Sequence, residues 1–201
     1  MPTLEMAEAA ARSPWFLPAP DLRDWMLETF IEWDARFHNP DHGHLIAARI
    51  GVLWTCIENK RNGRRIVGQA EFRPPSGTMG RWQRARAQAQ LAEWFDGELD
   101  FLLTFDATYA AKASDREFCA LVEHELYHCG QDTDEFGAPR FDRSTGLPAF
   151  RMRGHDVEEF IGVVKRYGAT SPEVAELIEA GCDHPAIDDA GVRAICGSCH
   201  A

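Results

Sequence analysis

His124, Glu125 and His128 stand in the arrangement H-E-x-x-H within FCALVEHELYHCGQ, residues 118 to 131. Residues four apart on a helix lie one turn apart on the same face, so the two imidazoles can approach a single ion. Glu125, one position past the first histidine, projects beside such an ion rather than onto it. A carboxylate there can take a proton from a water at the metal and deliver it to a leaving amine. A catalytic zinc site normally takes three protein ligands and leaves one position for water. The third donor is expected in RMRGHDVEEF, residues 151 to 160, which offers His155, Asp156, Glu158 and Glu159 at the start of a second helix. His155 is the preferred third ligand and Glu159, one turn further on, the alternative. Whichever of the two does not bind can steady the other through a hydrogen bond.

The elements that must position these residues can be read around them. Ser114 and Glu117 form an S-x-x-E capping box, and Gly130 stands where a helix would terminate, so the motif helix is expected between them. Phe118, Leu121, Val122 and Cys129 share its apolar face, with the two histidines at the edge. DFLLTFDA, residues 100 to 107, is an apolar run of strand length that precedes the helix. Strands are also expected around 48–57 and 65–73, joined by Asn62-Gly63, a hairpin signal. Leu22, Trp25, Met26, Phe30 and Trp33 recur at helical spacing over 21–37, and a further helix is expected over 82–95. A hairpin over 139–152 leads to the second ligand-bearing helix, which closes at Gly168. His38, His42 and His44 lie among Pro and Gly in FHNPDHGH, which reads as an exposed loop and a weaker metal candidate. This order of elements predicts an α+β domain.

With 201 residues the chain can build one sizeable core, and 45% hydrophobic with 26% charged residues is a soluble globular composition. No apolar run approaches the roughly 20 residues that cross a bilayer. MPTLEMAEAAARSPW lacks the basic start and apolar stretch of a secretory signal, so a cytoplasmic location is expected. In that compartment the six cysteines are expected as thiols or metal ligands. The net charge of −11 is unevenly spread: residues 59–90 hold eight Lys or Arg against one acid. Lys60, Arg61, Arg64, Arg65, Arg81, Arg84 and Arg86 either form a solvated hairpin tip and helix face or offer a local contact for nucleic acid or an acidic partner. The segment 60–86 thereby leaves a nucleic-acid-associated or protein-binding module as the alternative function.

A second group of metal-competent residues closes the sequence. Cys182, His184, Cys196 and Cys199 in GCDHPAIDDAGVRAICGSCHA suit a small structural zinc site, with ordinary thiols as the competing reading.

The succession of an apolar strand, a helix bearing HELYH, a hairpin and a helix opening GHDVEEF resembles the phage-type metallopeptidases of the zincin superfamily, which includes the SprT-like proteases. The resemblance covers about residues 20–168, and leaves 1–19 as an extension and 169–201 as a carboxyl-terminal helix and Cys/His tail. It implies a zincin-like fold, with a small, mostly antiparallel sheet packed against the HExxH helix. It also implies zinc-dependent hydrolysis of a peptide or protein substrate, with His124, His128 and His155 as ligands and Glu125 as general base. In zincins the strand before the motif helix commonly pairs with extended substrate, which would give that role to Phe101, Leu102, Leu103, Thr104 and Phe105. One departure keeps Glu159 open as a ligand: SprT-like relatives usually carry an apolar aromatic four residues after the third histidine, whereas Phe160 follows His155 by five.

Overall fold

A computed structural model of the chain describes residues 16–75, 77–157, 164–165, 167–169, 171–183 and 195–196. The first half holds strand β1 (Phe16–Pro18), helix α1 (Pro20–Met26) continued by a π-helical turn (Leu27–Ile31), and a 3-10 segment (Pro40–Ala47). Strands β2 (Ile50–Thr55), β3 (Asn59–Arg61) and β4 (Arg64–Phe72) and helix α2 (Arg81–Phe95) complete that half. The second half holds strand β5 (Phe101–Asp106), the short helix α3 (Ala107–Ala110), the motif helix α4 (Asp115–His128), and strands β6 (Cys129–Gln131) and β7 (Phe150–Met152). Helix α5 (Pro172–Cys182) and a two-residue strand β8 (Ile195–Cys196) follow.

The main sheet has the order β1-β2-β5-β4-β3, with β8 also pairing β4. The fold is therefore α+β, and the sheet is mostly antiparallel, at β1-β2, β3-β4 and β4-β5, with parallel pairing of β2 to β5 and of β8 to β4. Successive side chains on a strand face opposite ways. Ile50, Val52 and Trp54 of β2 and Phe101, Leu103 and Phe105 of β5 thus join one core. Leu22, Met26 and Phe30 cover that core from one element, and Phe118, Leu121, Val122 and Leu126 of α4 from another. Fully burying each such side chain contributes about 1.5–3 kcal/mol. Leu53 and Leu102 turn to the opposite face and, with Leu99, meet Leu91, Trp94 and Phe95 of α2.

Asn62 and Gly63 adopt φ of 51° and 76° between β3 and β4, the pair of positive values that a tight hairpin turn of this kind requires. The helix expected over 21–37 stops sooner: Glu32 is extended, and Trp33, expected in the apolar stripe, is 86% exposed.

One expectation is corrected by the sheet order. Phe101, Leu102, Leu103, Thr104 and Phe105 do not form an edge, because Phe101–Phe105 pairs with Ile50–Trp54 on one side and with Phe72–Gly68 on the other. With strands on both flanks, the backbone donors and acceptors of β5 are already engaged and cannot receive a peptide. The helix expected to open at Glu158 and carry Glu159 lies mostly outside the described residues; Val164, Lys165 and Tyr167 are helical.

Candidate metal centre

Helix α4 begins as its sequence requires. The Ser114 amide donates to Glu117 Oε2 at 2.9 Å, and the Glu117 amide donates to Ser114 Oγ at 3.3 Å. Its inner face buries Phe118, Leu121, Val122, Glu125 and Leu126, and His128 is 3% exposed. The helix then passes straight into β6. Gly130 is not a left-handed terminator but a strand residue, where a Cβ would stand 3.1 Å from Arg153 Cβ. Its value is close approach of the returning chain, which pairs Cys129 with Met152, Gly130 with Arg151 and Gln131 with Phe150.

That return delivers the third histidine. The Arg153 amide donates to the His128 carbonyl at 2.9 Å, and His128 Nδ1 lies 2.7 Å from the Arg153 carbonyl oxygen. A carbonyl can only accept, so Nδ1 carries a proton, and Nε2 is the ring nitrogen left to face a metal. His155 follows two residues later. Its Nε2 is 3.4 Å from His124 Nε2, and one ring nitrogen from each of His124, His128 and His155 lies within 4.8 Å of the others. Ligands at about 2.0–2.1 Å from a tetrahedral zinc ion stand about 3.3–3.4 Å apart, so the closest pair already has that separation. The pKa of His124 is lowered to about 4, first by burial and then by the neighbouring His128 and His155, which holds this imidazole neutral. The donor set fits a divalent metal.

Glu125 points inward from α4 and is 0% exposed. Its Oε1 lies 2.6 Å from the position a Cβ would take on Gly68 of β4, so the carboxylate is packed between helix and sheet. Glu159, His184 and Cys199 lie outside the described residues, as does the side chain of Cys196, and Cys182 is exposed. The carboxyl-terminal zinc site thus falls outside the described part of the chain.

The histidines of FHNPDHGH serve another purpose. His42 is 1% exposed, with its ring 4.7 Å from that of Tyr127, and His44 Nε2 donates to the Cys129 carbonyl at 2.7 Å. Asn39 Nδ2 donates to Glu123 Oε1 and to Tyr127 Oη, each at 2.9 Å, and Tyr127 Oη donates to Asp41 Oδ2 at 3.2 Å. The Arg153 guanidinium lies 5.4 Å from the Tyr127 ring centre and bonds Asp156 at 2.7 Å. This polar network ties the 3-10 segment to the outer side of α4 and to the strand return that carries His155. His42 Nε2 comes within 3.8 Å of Glu123 Oε1, but burial, followed by His44, lowers the His42 pKa to about 4. The contact is therefore not an ion pair near neutral pH.

The basic segment divides into separate environments. Arg65 forms an ion pair with the buried Asp106 at 2.6 Å, while Asp106 Oδ1 accepts the Thr108 and Tyr109 amides that open α3. Lys60 pairs with Glu58 at 2.9 Å. Arg64 lies exposed at the hairpin tip beside the partly buried Arg61, and Arg81, Arg84 and Arg86 are exposed on α2 next to Trp82. A cavity of about 840 Å3 is lined by Arg49, Arg73, Arg84, Glu98 and Asp100, and by none of the three clustered histidines. No helix among the described residues is long and apolar enough to cross a membrane.

Compared with protein-family models, residues 23–181 match the family described as "Putative phage metallopeptidase". Searches of curated proteins and of solved structures each gave no match. The family match supports a peptide or protein substrate and lends nothing to nucleic-acid contact.

Proposed function

We propose, from the premise that this chain belongs to the phage metallopeptidase family, that it is a zinc-dependent peptidase in which His124, His128 and His155 hold one catalytic Zn2+ and Glu125 is the general base. Family membership supports a metal-dependent peptidase in general. The finer reading is carried by one observation, the convergence of three ring nitrogens within 4.8 Å from two separated stretches of chain. Neutral imidazole suits zinc as a ligand. Bound there, the ion supplies Lewis acidity toward water and toward the peptide carbonyl.

The chain's own groups account for the remaining steps. The Arg153 backbone orients His128. Glu125 takes a proton from the attacking water and returns it to the departing amide nitrogen, and its burial keeps that carboxylate from bulk solvent. Extended substrate lies along the outer edge of β4, since β5 is flanked on both sides and β3 covers the β4 edge only as far as Ile66. The two-residue β8, opposite Ile66 and Gly68, is the one further strand that substrate would displace among the described residues. We assign the activity to residues 20–168 on a zincin-like scaffold, with 1–19 and 169–201 as flanking segments.

Replacement of Glu125 by Gln tests the reading. Hydrolysis of a casein or a fluorogenic peptide should fall by about 10²–10⁴-fold, while zinc content stays near one per chain by elemental analysis. A Glu125→Gln protein that hydrolyses as fast as the parent would show that another group moves the proton.

A further inference from the structure

Gly68 is the point at which β4 faces the buried carboxylate of the motif helix, and a larger residue does not fit there. A Cβ at this position would stand 2.6 Å from Glu125 Oε1, 3.1 Å from Glu125 Cδ and 2.9 Å from Leu121 Cδ1. Ordinary van der Waals contact begins near 3.4 Å, so the carboxylate oxygen would have to retreat by about 0.8 Å. Neither neighbour can move into solvent, because Glu125 is 0% and Leu121 1% exposed. The strand is equally constrained: Gly68 is in register with Phe105, whose ring packs 5.7 Å from Phe118 of the same helix. Gly68 is not among the glycines with positive φ, so alanine could adopt its backbone conformation. The glycine is needed there for space.

We propose that Gly68 is a positioning residue for peptide hydrolysis. The missing side chain sets how deeply the Glu125 carboxylate seats against β4, and so fixes the proton-transferring group relative to the three imidazoles. The proposal rests on the reading of Glu125 as general base. It predicts that a single methyl group, added on a different element from every proposed ligand, disturbs catalysis without disturbing metal binding.

The test is a double-mutant cycle between Gly68→Ala and Glu125→Asp, with zinc content, cobalt-substituted absorption spectra, kcat and KM measured for each protein. A misplacement approaching 1 Å costs about 100-fold in rate. Gly68→Ala should therefore lower kcat by about 100-fold, leave KM within about twofold, and keep the zinc content and cobalt spectrum of the parent. In the Glu125→Asp protein, whose carboxylate is one methylene shorter, adding Gly68→Ala should cost little further. Unchanged kcat in Gly68→Ala, a rise in KM alone, or the same loss in both backgrounds would each overturn the proposal. If Gly68→Ala does not fold, Gly68→Ala with Leu121→Val removes the clash at Leu121 Cδ1 and retains the clash at Glu125. Its kcat against Leu121→Val alone then decides the matter in the same way. The two readings fail separately: an active Glu125→Gln protein overturns the general base and this inference with it, whereas inactive Glu125→Gln beside fully active Gly68→Ala overturns this inference alone.

Discussion

His42 shows how far one side chain's chemistry is dictated by packing. Burial, with His44 and Arg153 adding to it and Asp41 opposing it, lowers its pKa from 6.5 to about 4. Between those values the unfolded chain carries a proton on this imidazole and the folded chain does not, so stability falls as the pH drops through that window. The contribution is fully present above about pH 6.5 and is lost by about pH 4, amounting to about 3 kcal/mol. The difference in unfolding free energy between pH 7 and pH 4.5, from urea melts, should accordingly be larger for the parent than for His42→Gln. Parallel pH profiles would show that His42 keeps its ordinary affinity for protons in the folded state. The sequence marked His124, Glu125 and His128 as candidates because their spacing matches the helix repeat, and His155 because acidic residues cluster beside it; the three histidines do come together. It did not reveal His42. Pro and Gly suggested an exposed loop, whereas a 3-10 segment repeats every three residues and buries His42 together with Leu45. That three-residue spacing was the available signal.

At the scale of elements, what a strand does depends on its neighbours. The run Phe101–Phe105 was legible as a strand from its apolar residues, but its place in the middle of the sheet depends on partners that its own sequence does not name. The β3–β4 hairpin was legible because Asn62-Gly63 encodes the turn locally. Strand β6 was not, since Cys-Gly-Gln has no alternation to read and its partner begins at Phe150. The outer edge of β4 carries a further expectation. β8 pairs there in parallel, opposite Ile66 and Gly68, and an arriving peptide needs the same backbone groups. Deleting residues 194–201 should therefore lower KM for an extended peptide several-fold and leave kcat unchanged. An unaltered KM would place the substrate on some other surface.

For the molecule as a whole, composition and element order were enough for the α+β class, while the mixed pairing of the sheet was not foreseeable, because chain order and spatial order differ. Strand β5 sits between β2 and β4 although both precede it in sequence. Before Phe101 is made, the earlier strands can form only two separate ribbons, β1 with β2 and β3 with β4, and isolated two-stranded ribbons are marginal in water. A fragment of residues 1–95 should be digested rapidly by thermolysin and lack the cooperative melt of the full chain; a protected fragment would refute this order of assembly. On the ribosome the consequence is a long wait. Roughly half of the polypeptide must emerge with its apolar strands uncovered, until one late segment slides in as a keystone and closes the sheet.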